Sequence, residues 1–145
     1  MKKILHIFSI LTFVLFSTQL FGASISAEQK IYRSIFHGLF PNKSVVKVWV
    51  DDKDKAKRLQ GMRDVRIVTS QKEADMLLLA KNFNIRSNKI IFVSSYPLLK
   101  RYKDVAIGGF YWKKGRPNLL FLRKNLQKRG IELPQPLQKY IDDEL

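Results

Sequence analysis

The stretch Ala74-Asp75-Met76-Leu77-Leu78-Leu79-Ala80 decides how this chain is read. Its apolar side chains follow one another without alternation, over a length that suits a strand better than a helix. Lys89-Ile90-Ile91-Phe92-Val93 repeats the pattern. A strand with only one buried face alternates apolar and polar residues, whereas a continuous run belongs to a strand covered on both faces, as in a parallel sheet with helices above and below. Working outward, Val45 to Val50 and Val65 to Val68 are further β-branched runs that read as strands. Ser26 to Phe40 places Ile31, Ile35, Phe36 and Leu39 at helical spacing, with Ser26 and Gln29 as a capping box and a stop near Gly38 and Pro41. Asp52 to Gly61 reads as a short charged helix with Asp51 or Asp52 as its N-cap. Gln71 to Ala74 and Tyr96 to Tyr102 supply short helical crossovers.

The pattern changes after Asp104. Val105 to Trp112 and Asn118 to Leu122 read as two strands joined by Lys113-Lys114-Gly115-Arg116-Pro117, a link of hairpin length. Lys124 to Arg129, ended by Gly130, and Pro134 to Asp143 read as the last two helices. The expected fold is therefore α/β: a Rossmann-like three-layer sandwich with a mostly parallel sheet and a C-terminal antiparallel hairpin.

The N-terminus reads as an address. Met1-Lys2-Lys3 precedes an apolar run from Ile4 to Phe21 and the small residues Gly22-Ala23-Ser24, the order of a secretory signal peptide over residues 1–23. Ala27 is a second cleavage candidate. The run is just long enough to span a bilayer, so a retained anchor is the alternative; the small-residue exit favours cleavage and a periplasmic domain over 24–145. No cysteine is present, which excludes a lipid anchor, thiol chemistry and disulfides. The 145-residue chain has 27 basic and 12 acidic side chains; without Lys2 and Lys3 the net charge is +13. Such a surface is drawn to acidic partners and to anionic membrane.

Catalytic groupings are scarce. His37 is the one histidine beyond the signal peptide, no Gly-x-Ser-x-Gly elbow accompanies it, and a place on the first helix gives it a packing or surface role. Asp51, Asp52 and Asp54 follow a strand, where α/β folds often place a site, but Lys53, Lys55, Lys57 and Arg58 offset the field that a divalent cation needs. Helix capping is the better account of these aspartates. Gly108-Gly109 lacks the spaced glycines and following helix of a phosphate loop and suits close strand packing or a bulge. No catalytic, cofactor or metal site is expected.

The most suggestive local feature is Phe110-Tyr111-Trp112-Lys113-Lys114-Gly115-Arg116. Aromatics interleaved with cations suit stacking and phosphate contact, a protein or membrane contact, or a strand face that runs into a solvated turn. Outside the cytoplasm nucleic acid is not an expected ligand. Tyr111, Trp112, Lys113, Lys114 and Arg116 are the candidate interaction residues.

Five motifs, taken in order, resemble the YfiR family: Ala74 to Leu79, Lys89 to Ser94, Gly108-Gly109-Phe110, Gly115-Arg116-Pro117-Asn118 leading to Asn125-Leu126, and Gly130-Ile131-Glu132-Leu133-Pro134 with Leu137. Phe40-Pro41 before a strand resembles that family's opening. The resemblance spans about residues 28 to 143 and implies a periplasmic α/β protein, often dimeric, that binds the periplasmic part of an inner-membrane diguanylate cyclase and holds it inactive. It implies no enzymatic activity. This chain departs from the family in lacking its redox-responsive cysteines and in placing Arg123-Lys124 before Asn125-Leu126. The alternative, from a different class, is a small periplasmic solute-binding protein for an anionic ligand bound beyond the carboxyl ends of the strands.

Overall fold

The computed structural model describes residues 26–82 and 84–145; the predicted signal peptide lies outside them. The strands are β1 (Val46–Val50), β2 (Val65–Ile67), β3 (Met76–Leu79), β4 (Ile90–Val93), β5 (Gly108–Lys113), β6 (Arg116–Leu122) and β7 (Ile141–Asp142). The helices are α1 (Ala27–Leu39), α2 (Lys53–Leu59), α3 (Tyr96–Arg101), α4 (Arg123–Lys128) and α5 (Gln135–Gln138), with a 3₁₀ turn at Gln71–Glu73.

One seven-stranded sheet runs β2-β1-β3-β4-β5-β6-β7. The first five strands in that order are mutually parallel, β5 and β6 are antiparallel, and β7 lies parallel to β6. The architecture is α/β, as the continuous apolar runs predict. β3 is central and all four of its side chains are buried. Met76 and Leu78 face the core formed with α1, α2, α4 and α5, whereas Leu77 and Leu79 face a smaller core closed by Leu98, Leu99 and Tyr102 of the α3 region. The sheet is thus covered on both faces, heavily by α1 and thinly by α3.

Local chemistry sets the element ends. Ser26 Oγ accepts from Gln29 N at 3.2 Å, but the Gln29 side chain donates to Arg58 O instead of closing the capping box. Asp52, not Asp51, caps α2 by accepting from Lys55 N. α1 ends at Leu39, between Gly38 and Pro41 as expected, and Gly38 also serves packing, since a Cβ there would stand 2.3 Å from Leu137 Cδ1. Gly108 and Gly109 are packing positions: a Cβ on Gly108 would meet Leu120 O at 2.3 Å, and one on Gly109 would meet Val93 Cγ2 at 2.9 Å.

Three sequence expectations need correction. The strand expected from Val105 begins at Gly108, because Val105 and Ala106 bond back to Tyr102 O and complete the turn after α3. The link from Lys113 to Pro117 shrinks to a two-residue turn, Lys114-Gly115, with Lys113 already paired to Arg116. Both turn residues have positive φ, 50° and 72°, as a type I′ turn requires. The last helix, expected from Pro134 to Asp143, ends at Gln138, and Ile141–Asp142 form β7. A short helix without side-chain caps has little intrinsic stability, whereas the free edge of β6 offers backbone bonds such as Phe121 N to Tyr140 O at 2.8 Å.

Candidate interaction surface

The five strands β1 to β5 end on one edge, where α/β folds place their sites, and strand order reverses there between β1 and β3. That switch point is filled by the chain itself. Asp51, just past β1, accepts from Ala80 N at 2.6 Å through Oδ1 and from Lys81 N at 3.1 Å and Asn82 N at 2.7 Å through Oδ2. Three converging backbone N–H groups form a cradle suited to an anion, and a carboxylate of the protein occupies it. Beside it, Lys81 Nζ lies 2.6 Å from Asp52 Oδ1. The Lys81 bond holds the Asp52 carboxyl below its ordinary range, against the opposing effect of burial. A solute-binding protein for an anion would need this crevice open.

The charged and titratable groups form structural pairs. His37 Nε2 lies 2.8 Å from Asp64 Oδ2, and Ser34 Oγ, one turn earlier, donates to Lys30 O. His37 therefore ties α1 to the segment before β2. Lys55 Nζ and Arg58 Nε bind the two oxygens of Glu28 at 2.6 and 3.1 Å, locking α1 to α2 over the buried Tyr32. Burial pushes the Tyr32 phenol far up. Among the described residues no three metal-ligating side chains converge, and no helix is long and apolar enough to cross a membrane.

The feature that remains is the β5–β6 arm. β4 stops opposite Gly109, and β7 pairs only with Phe121 and Leu122. From Phe110 to Leu119 the hairpin is a two-stranded ribbon standing beyond its neighbours. Opposite residues share a face of such a ribbon. Phe110, Trp112, Pro117 and Leu119 lie on one side; Tyr111, Lys113, Arg116 and Asn118 lie on the other. Phe110 is buried against Tyr32, with ring centroids 5.3 Å apart, and carries Trp112 on its outer edge at 5.8 Å.

Every sequence-predicted interaction residue lies on this arm. Trp112 is 49% exposed. Lys113, Lys114 and Arg116 are exposed at the tip and enter none of the ion pairs among the described residues. Tyr111 is half-buried, its phenol pushed up by burial and by neighbouring Tyr96. Tyr96, which sequence reasoning assigned only to a crossover helix, lies with its ring centroid 5.7 Å from that of Tyr111. Tyr96 is 43% exposed, and Lys100 Nζ sits 5.5 Å from its ring centroid. The signal was available in the sequence: Ser94-Ser95-Tyr96-Pro97 directly follows a strand's carboxyl end. Between this turn and the arm lies a groove of ≈ 500 Å³ lined by Ser94, Ser95, Tyr96, Pro97, Tyr111, Trp112 and Lys113.

Comparison with family models, curated proteins and solved structures finds no match to this chain. The resemblance to the YfiR family rests on its short motifs, and those motifs have structural roles here. Gly108-Gly109 permits close strand packing, and Gly115 and Gly130 take positive φ. Buried Asn125 donates from Nδ2 to Lys103 O at 2.7 Å and Ala106 O at 2.6 Å, tying α4 to the segment before β5.

Proposed function

We propose that this chain is a non-catalytic periplasmic binding module that contacts an inner-membrane signalling protein, in the manner of YfiR-type repressors of a diguanylate cyclase. The observation that carries the reading is the groove beside the arm. Half-exposed aromatic rings, and cations that enter no ion pair among the described residues, are gathered at the sheet edge where this architecture keeps its sites, while the crevice at the switch point holds the chain's own Asp51. Large amphipathic rings with a cationic border are the composition of a protein contact whose centre excludes water. A homodimer built through the same arms would set Lys113, Lys114 and Arg116 against their own copies, so the arm suits a different, acidic partner.

The test is a photo-crosslinking amino acid at position 96 in cells that export the chain, with position 103, beyond the far end of α3, as the control. The expected result is capture of one inner-membrane protein from position 96 alone, together with a rise in cyclic-di-GMP when the chain is deleted. No capture from position 96, with cyclic-di-GMP unchanged on deletion, overturns the reading.

A further inference from the structure

The two edges of the arm are managed differently. In a hairpin with a two-residue turn the pair next to the turn is hydrogen-bonded and the next pair is not. Lys113–Arg116 is thus the bonded pair and Trp112–Pro117 the non-bonded one, whose backbone groups point outward from the ribbon. On the β6 side the outward position is Pro117, which has no N–H to offer, and a proline there blocks strand addition. On the β5 side the outward position is Trp112, which keeps both N–H and C=O. It faces the slot vacated where β4 ends at Val93, and the ≈ 500 Å³ groove occupies that slot.

The tip also departs from what stability alone would select. Lys113 and Arg116 stand directly opposite each other, an arrangement that destabilises a strand pair. Lys114 takes φ 50°, where asparagine or glycine is at less cost. Local departures of this kind concentrate at functional sites. Lys100, whose Nζ lies 5.5 Å from the ring centroid of Tyr96, adds a cation next to a ring that lines the groove.

We infer that the groove beside β5 accepts an extended, acidic segment of the partner protein, which adds to the sheet as a strand along Trp112 in the place β4 leaves. Main-chain bonds to Trp112 would supply register, and acidic side chains at alternate positions would meet Lys113, Arg116 and Lys100. This rests on the reading of the chain as a protein-binding module and names the partner's chemistry.

The test uses the chain as isolated from an exporting cell and a displayed library of random octapeptides. The expected outcome is enrichment of β-prone peptides with Asp or Glu at alternate positions. The best of them, as a synthetic peptide, should slow exchange of the Trp112 amide at least tenfold. N-methylation of its backbone in one alternate register should abolish binding, and in the other register should leave it intact. Lys113→Gln and Arg116→Gln should each weaken binding several-fold and flatten its salt dependence, whereas Lys103→Gln should not. All three positions are exposed, and circular dichroism checks that the variants fold. Any of four results overturns the inference: no enrichment; enriched peptides without acids; indifference to N-methylation in both registers; or Trp112 partitioning into 70:30 phosphatidylcholine:phosphatidylglycerol vesicles with no peptide selected, which would assign the arm to lipid. Capture from position 96 would survive each of these, so the two readings fail separately.

Discussion

Replacing Asp51 removes the acceptor for three backbone donors at once, and the loss divides unevenly among them. The Ala80 N–H, 2.6 Å from Oδ1, is partly buried, whereas those of Lys81 and Asn82 belong to exposed residues that water reaches. A bond to a charged acceptor is worth about 1.5–3 kcal/mol where the donor would otherwise be orphaned, and less where water replaces it. Asp51→Ala should therefore destabilise the fold by about 3 kcal/mol, summing about 1.5 for Ala80 and somewhat under 1 for each of the others. At about 4 °C per kcal/mol for a domain of this size, that lowers Tm by about 12 °C. Asp51→Asn should cost nearly as much, because either orientation of the amide turns an NH₂ toward a backbone donor. Urea unfolding followed by far-ultraviolet circular dichroism gives the difference from the shift in midpoint at constant slope. Asp51→Gly adds a discriminating arm: it leaves the donor cradle open, so 0.1 M formate should raise the variant's Tm relative to chloride at equal ionic strength. The parent protein, whose cradle is filled, should not respond. A loss below about 1 kcal/mol, or an equal formate response in both proteins, would refute the argument that this carboxylate closes the switch point.

Other consequences can be measured on the same samples. Gly108→Ala should destabilise by about 3 kcal/mol or more, since the methyl would meet backbone Leu120 O at 2.3 Å and neither strand can yield; a Tm within a few degrees of the parent's would contradict this. Asn125→Leu should lower stability by about 2–4 kcal/mol in urea titrations, because it leaves two carbonyls, Lys103 O and Ala106 O, without their donor. Lys114→Gly should raise stability by about 0.5–1 kcal/mol by relieving the positive φ, and a decrease would show that the turn is not of type I′. Acid should destabilise the fold. Asp52 is held low chiefly by Lys81, and burial pushes Asp75 up but is outweighed by its bonds from Lys43 and Lys47. With folded pKa values below the unfolded ones, this contribution is complete above about pH 4 and is lost as pH falls further. A urea midpoint that stays flat from pH 6 to pH 3 would count against it.

The parallel core was legible because burial on both faces leaves an unbroken apolar run, as at Met76–Leu79 and Ile90–Val93. The arm was legible as composition but not as geometry. Its residues were named, yet Pro117 was taken as loop, because the sequence does not show that β7 stops short and leaves that edge free. β7 itself was read as helix: Tyr140-Ile141 has no period of its own, and only the open edge of β6 gives it an extended partner. The roles of Asp51 and Asp52 were read together as capping. They diverged because the cradle at Ala80–Asn82 comes from a strand about thirty residues away, which no local pattern records. Tyr96 was passed over although its place at a strand's carboxyl end was visible, because its significance lies in the ring of Tyr111.

The placement of these features bears on what can be transferred from the family resemblance. Gly108-Gly109, Asn125-Leu126 and Gly130 are where the backbone packs tightly, where α4 is tied to the sheet, and where φ is positive. Any sequence that builds this sheet and hairpin would favour such residues there, whatever it binds. The residues free to differ without harm to the fold are those the core does not use: Tyr96, Trp112, Lys113, Lys114 and Arg116, all exposed. Three of them, Lys114 and the facing Lys113 and Arg116, act against stability. Partner choice should therefore be encoded in these exposed residues and not in the motif positions that pack or cap the fold, Gly108-Gly109, Asn125-Leu126 and Gly130. Exchanging those five residues for others should redirect or abolish capture of the partner while leaving Tm within a few degrees of the parent, whereas exchanging Gly108, Gly109 or Asn125 should unfold the protein without altering what the folded fraction binds.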